Sequence, residues 1–212
     1  MEKNVTSLKY SICISGAAGG KTVTSAYDDA TALGLAVAKY GCNLTTGATV
    51  GLPYYAAHSA KKAGGVSIGF SPASSLTEHL RKYRLPYDCF NFINFTGLHY
   101  VGRDLYLVQS SDALITVGGR FGSLHEFTSA LEAGKPCGVL TGSGGTADLI
   151  PALMQILEPP AKNLVIYDDN PERLVKRIVA ILDVQYNQLK KDIEQYNSDW
   201  FYRHDPKNIR KG

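Results

Sequence analysis

Short apolar runs recur at regular intervals along this chain, and the segments between them repeat their apolar residues at helical spacing. Such alternation predicts a parallel sheet with helices on both faces, because each parallel crossover needs a connecting segment long enough to hold a helix. The predicted strands are Tyr10 to Ser15, Asn43 to Thr46, Val66 to Phe70, Cys89 to Phe95, Ala113 to Val117, Cys137 to Leu140 and Leu164 to Tyr167. Helices are predicted from about Ser25 to Tyr40, Val50 to Ala63, Leu98 to Ser110, Ser123 to Ala133 and Ala147 to Leu157. Gly41, Gly64-Gly65 and Gly134 close three of them in the way glycine ends a helix. Ser71 to Tyr87 has no clean period and holds two prolines with several serines and basic residues, so it reads as an irregular excursion. Pro171 opens a long helix running to about Asn197, with Leu174, Ile178, Ile181 and Leu182 along one side. That helix either caps a sheet edge or packs on a second subunit, and Arg203 to Gly212 reads as a frayed end.

The fold class is therefore α/β: Rossmann-like, doubly wound, with a mainly parallel sheet of about seven strands. The 212 residues, 44% of them hydrophobic, suit one nucleotide-binding domain over 1–212, with a core of about 9–182 and a C-terminal helix and tail over 183–212. A net charge of +3 falls well short of the clustered basicity of a dedicated nucleic-acid binder and leaves anionic small molecules as ligands. No apolar run approaches the ~20 residues that span a bilayer, and the polar start Met1-Glu2-Lys3-Asn4 is unlike a signal peptide, so a cytoplasmic protein without membrane association is expected. Cys13, Cys42, Cys89 and Cys137 match no zinc or redox spacing and read as buried reduced thiols. No metal site is expected.

The candidate chemistry lies in glycine turns that follow strands. Gly118-Gly119-Arg120-Phe121-Gly122-Ser123 stands directly behind the run Ala113 to Val117 and ahead of a helix. In that order, glycines admit an anion close to the backbone, and the unpaired N–H groups and dipole of the helix start hold it. Glu126 follows one turn inside the helix, within reach of the sugar of a bound nucleotide. Ser123-Leu124-His125-Glu126 also fits a helix cap in which serine and glutamate bond each other's backbone, and the segment alone leaves both readings open. A second turn, Ser15-Gly16-Ala17-Ala18-Gly19-Gly20, follows the first strand, and in a parallel sheet both turns reach one edge. Gly142-Ser143-Gly144-Gly145-Thr146 forms a third, explained equally well as a plain loop or as ligand contact. Arg103 reads either as a solvated charge paired with Asp104 or as a guanidinium fork for phosphate or ribose.

Three other patterns fail on context. Gly16 to Thr22 misses the P-loop spacing by one residue, although Leu164 to Asp168 resembles an acid-tipped magnesium strand. Gly65-Val66-Ser67-Ile68-Gly69 matches a nucleophile elbow in letters, yet it is itself the strand and no helix follows it. His125-Glu126 lacks the second histidine of a zinc-protease helix.

Taken together, the chain resembles the lonely-guy superfamily of Rossmann-like phosphoribohydrolases once labelled lysine decarboxylases, close to its molybdenum-cofactor-carrier and DNA-processing-related branch. The resemblance covers about residues 9–182 and is carried by Val117 to Glu126, similar to the family's Pro-Gly-Gly-x-Gly-Thr-x-x-Glu motif, and by Thr46-Gly47-Ala48-Thr49-Val50-Gly51-Leu52 with Ala63-Gly64-Gly65. Arg103 falls at the arginine of the family's Arg-Lys pair, with Asp104 where the lysine stands. The resemblance implies a homodimer or higher homo-oligomer and no cofactor. It also implies hydrolysis of the N-glycosidic bond of a nucleoside 5′-monophosphate, Glu126 and Arg103 being catalytic. The implied ligand contacts are Gly16, Ala17, Gly47, Gly118, Gly119, Arg120, Phe121, Gly122 and Ser123. A non-catalytic nucleotide or molybdenum-cofactor carrier or sensor is the alternative, and lysine decarboxylation is not implied, since no lysine here is singled out to hold pyridoxal phosphate.

Overall fold

Alternating side chains on seven short strands feed two apolar layers, and that alternation sets the architecture. In a computed structural model, which describes residues 10–159 and 162–195, the strands are β1 (Ser11–Gly16), β2 (Asn43–Thr46), β3 (Val66–Ser71), β4 (Phe92–Phe95), β5 (Ala113–Val117), β6 (Cys137–Leu140) and β7 (Val165–Asp168). They form one sheet in the order β4-β3-β2-β1-β5-β6-β7, every pair parallel. The helices are α1 (Lys21–Ser25), α2 (Tyr27–Lys39), α3 (Leu52–Lys62), α4 (Leu76–Arg81), α5 (His99–Gln109), α6 (Phe121–Glu132), α7 (Gly145–Leu157) and α8 (Pro171–Gln195). Ile12 and Ile14 of β1 and Ile115 of β5 point into a layer with Leu33 and Val37 of α2, Leu52 and Ala56 of α3, and Leu174 and Ile178 of α8. Cys13 and Leu114 point the other way, against Leu107 of α5, Phe127 of α6 and Ile150 of α7. This is the doubly wound Rossmann-like α/β fold expected from the pattern of apolar runs.

Two predicted features change. The helix expected from about Ser25 begins earlier and is broken at Ala26 into α1 and α2. The excursion after β3 is not irregular throughout: Ser75 caps α4 by accepting from the Glu78 N–H, and Glu78 in turn accepts from the Ser74 N–H at 2.7 Å. Buried His79 then pins the segment down, donating from Nε2 to the Pro86 carbonyl at 2.9 Å and accepting the Ser71 hydroxyl proton at Nδ1 at 2.8 Å. The long helix α8 packs on the β6, β7 and α2 side through Leu174, Val175, Ile178 and Leu182. Its expected end at Asn197, the residues before Tyr10 and the tail from Arg203 lie outside the described residues. All four cysteines are buried, and none forms a disulfide. Among the described residues no helix is long and apolar enough to cross a membrane.

Two patterns weighed in the sequence turn out to belong to the fold. Asp168, at the end of β7, accepts from Arg173 Nε and from Arg177, contacts that hold its carboxyl well below the usual range. Ser67 sits fully buried inside β3, so no reagent reaches its hydroxyl.

Candidate functional site

The strand order reverses between β1 and β5, which lie side by side while their successors run to opposite edges. At such a switch point the loops leaving the two strands part and open a crevice above their carboxyl ends. Gly16 and Val117, the last residues of β1 and β5, are partners in the register, so the first and second glycine turns leave the sheet side by side. Between them lies a cleft of about 350 Å³, within the range of small-ligand pockets.

The helix on the far wall starts sooner than the sequence suggests. α6 begins at Phe121, with Arg120 extended at the N-cap and no side chain capping it, so Ser123 lies inside the first turn. This overturns the capping reading of Ser123 and Glu126. Glu126 instead points inward, and its carboxylate accepts a buried hydrogen bond from Ser15 Oγ at the end of β1. The N–H groups of Gly119, Arg120, Phe121, Gly122 and Ser123 have no acceptor among the described residues. Four of these residues, Arg120 to Ser123, line the cleft. Positive φ at Gly118 (54°) and Gly119 (104°) makes the turn possible, and a Cβ on Gly119 would meet Ser123 Cβ at 2.8 Å.

Arg103 and Asp104 reach the cleft from α5, and neither is a solvated charge. Arg103 is only 4% exposed; its Nε donates to Asp104 at 3.0 Å, and its Nη1 donates to the carbonyls of Gly47 and, at 2.8 Å, of Phe70. The guanidinium thereby ties the ends of β2 and β3 to α5, and a Cβ on Gly47 would stand 2.2 Å from its Nη1. Asp104 also accepts from His125 Nδ1 at 3.0 Å. The site is thus a compact set of ionisable side chains: Arg103, Asp104, His125 and, against Asp104, Glu126. Burial raises the Glu126 carboxyl to about 7; Arg103 and the Ser15 hydroxyl pull it down, and the neighbouring Asp104 pushes it up. Burial, and after it the same two acids, push the Cys13 thiol upward, so it is an inert thiol in the core.

Of the eleven residues singled out in the sequence, Gly16, Ala17, Gly47, Arg103, Arg120, Phe121, Gly122, Ser123 and Glu126 line the cleft. Gly118 and Gly119 do not; they form the turn behind it, and Gly118 N–H donates to Ser143 of the third glycine turn. Sequence reading gave no ligand role to Thr49, Pro53 and Tyr100, which also line the cleft together with Ile14, Ala18, Gly19 and Asp104. The Tyr100 ring lies 5.8 Å from the Arg103 guanidinium. Tyr100 stands one helical turn before Asp104, so helix periodicity together with the Arg103-Asp104 pair was the only signal for it. Phe121, 87% exposed, and Tyr100, 46% exposed, place two aromatic rings on the cleft wall.

The fold and site define a Rossmann-like protein with a small-ligand cleft at the switch point and an uncapped helix start facing it. The chain belongs to the SLOG cluster4 family, whose model matches residues 9–175, within the superfamily of DNA-processing and lonely-guy-like proteins. A protein of Archaeoglobus fulgidus described only as uncharacterized is 32% identical over 116 residues, 55% of this chain and 71% of its own length. Among solved structures, the molybdenum cofactor binding protein of Rippkaea orientalis is 28% identical with a TM-score of 0.70, over 84% of this chain and 99% of that one. The molybdenum cofactor carrier protein of Chlamydomonas reinhardtii is 25% identical with a TM-score of 0.64, over 83% and 99%. DNA processing protein A of Helicobacter pylori, a single-stranded DNA binder, is 18% identical with a TM-score of 0.56, over 81% and 80%, and shares the fold.

Proposed function

We propose that the cleft binds a phosphate-bearing, nucleotide-like small molecule, and that the protein carries or senses that ligand without cleaving it. The observation that carries this reading is the row of unpartnered N–H groups from Gly119 to Ser123 at the start of α6, most of it on the cleft wall. Arg120 adds a positive charge beside them, and Gly16, Ala17 and Gly47 form part of the opposite wall. Tyr100 and Phe121 offer faces on which a purine or pterin ring stacks. The molybdenum cofactor, a phosphorylated pterin, and nucleoside monophosphates share this chemistry, and the likeness to two molybdenum-cofactor proteins favours the carrier role. A net charge of +3 and a cleft of this size suit a small ligand better than a nucleic-acid strand. By family resemblance the working form is a cytoplasmic homodimer or higher homo-oligomer built from one such domain per chain.

Carriage is preferred to hydrolysis because Arg103 is already spent: Asp104 cancels its charge, and its Nη1 is bound to two carbonyls. One observation favours the phosphoribohydrolase reading, namely the buried Glu126 carboxyl near neutrality, poised to exchange a proton beside a ribose. Incubation with a panel of nucleoside 5′-monophosphates separates the two. Thermal stabilisation with no free base by chromatography is the expected result. Base and ribose 5-phosphate release that disappears in Glu126→Gln would establish the hydrolase instead.

A further inference from the structure

The third glycine turn, Gly142 to Thr146, takes no part in lining the cleft, yet it is bonded throughout to the turn that leads into α6. Gly118 N–H donates to Ser143 Oγ at 2.8 Å, and Ser143 Oγ donates to the Leu140 carbonyl at 2.5 Å. Ala147 N–H donates to the Gly118 carbonyl at 2.8 Å and Thr146 N–H to the Gly119 carbonyl at 3.3 Å. Thr146 Oγ1 donates to the Arg120 carbonyl at 2.8 Å. The Asp148 carboxylate holds the third turn itself, accepting from the N–H groups of Gly142 at 2.7 Å and Gly144 at 3.1 Å. The two loops touch so closely that a Cβ on Gly145 would lie 2.3 Å from the Gly119 oxygen.

In a trans peptide the carbonyl of one residue and the N–H of the next point in opposite directions. Drawing the carbonyls of Gly118, Gly119 and Arg120 back toward α7 therefore turns the N–H groups of Gly119, Arg120 and Phe121 the other way. We infer that Ser143 and Thr146 are positioning residues for anion binding, acting through the backbone of the Gly118-Arg120 turn without touching the ligand. The start of α7, which resembles a second anion site in sequence, spends its leading N–H groups on the carbonyls of the first. Ser143 is 3% and Thr146 6% exposed, consistent with a brace and not a contact.

The inference rests on the phosphate reading of the cleft, and the test separates the two. Wild type, Thr146→Val and Thr146→Ser are titrated calorimetrically with AMP and with inorganic phosphate. Thr146→Val is expected to weaken both by about three- to tenfold, the range of one neutral hydrogen bond, and Thr146→Ser to recover wild-type affinity. A valine variant that melts earlier but binds both ligands as wild type does would overturn the inference, because the brace would then be structural only. If wild type binds neither ligand, the phosphate reading fails, and the brace is read by hydrogen exchange at the Gly118 and Ala147 amides. Exchange there must quicken in Thr146→Val and not in Thr146→Ser; unchanged exchange would refute the brace as well.

Discussion

Ser15 Oγ, near the end of β1, donates a buried hydrogen bond to the carboxylate of Glu126 on α6, 111 positions further along the chain. The bond crosses the switch point of the sheet and joins the two glycine turns at their base. It also fixes the acid within the cleft, which a helix-capping glutamate would leave.

That acid gives stability a pH dependence whose sign follows from the direction of its shift. The Glu126 carboxyl is raised from 4.5 to about 7 in the folded protein, so the native state holds its proton more tightly than the unfolded chain. The resulting stabilisation, roughly 3 kcal/mol at most, is full below about pH 4.5 and is lost as pH rises through about 7. Chemical denaturation of wild type between pH 5 and 8 should show that decline, and Glu126→Gln should flatten it. Equal slopes in both proteins would mean that Glu126 ionises normally.

Arg103 is a structural clamp in this account. Arg103→Met leaves Asp104 buried without its cation and strips the Gly47 and Phe70 carbonyls of their donor. Breaking one partner of a buried pair costs about 3–5 kcal/mol, and urea denaturation should report a loss of that size. A loss below about 1 kcal/mol would place Arg103 among solvated charges.

Helices α2 and α3 meet at Gly34, where a Cβ would lie 2.1 Å from both the Ala56 oxygen and Ser59 Oγ. Gly34→Ala must push the helices apart despite alanine's better helix propensity, and a destabilisation of about 1–3 kcal/mol is expected. A stabilised variant by thermal melting would show that the contact yields freely.

His79 holds the segment after β3 through Ser71 and the Pro86 carbonyl. His79→Leu fills similar space but leaves Ser71 Oγ and Pro86 without this partner, at a cost of about 1–3 kcal/mol. Limited proteolysis should then cut within residues 71–87 faster than in wild type; an unchanged digest would show that other contacts hold the segment.

The pattern Ser-x-x-Glu shows how far the sequence could be read. It occurs at Ser75 to Glu78, where it does cap a helix, and at Ser123 to Glu126, where it does not. Local spacing cannot separate the two, because the difference is tertiary: Glu126 finds Ser15 across the sheet, while Glu78 has only its own helix start and Lys82 to answer. The strands were legible for the opposite reason. Ala113 to Val117 and Cys137 to Leu140 are buried on both faces, so every residue carries the same signal. Tyr100 left only the faint signal of its helical spacing from Asp104, because one aromatic on a helix says little about which loops it faces.

If a phosphate sits against the first N–H groups of α6, Phe121 permits a direct test. It is the first helical residue and follows an extended Arg120, a setting that accepts proline with the loss of one N–H. Titrating AMP calorimetrically into wild type, Phe121→Ala and Phe121→Pro separates the ring from the amide, since both variants lose the ring and only the second loses the donor. Binding to Phe121→Pro is expected to be weaker than to Phe121→Ala by about tenfold or more, the worth of a charge-assisted hydrogen bond. Equal affinity of the two variants, with both still folded, would contradict it.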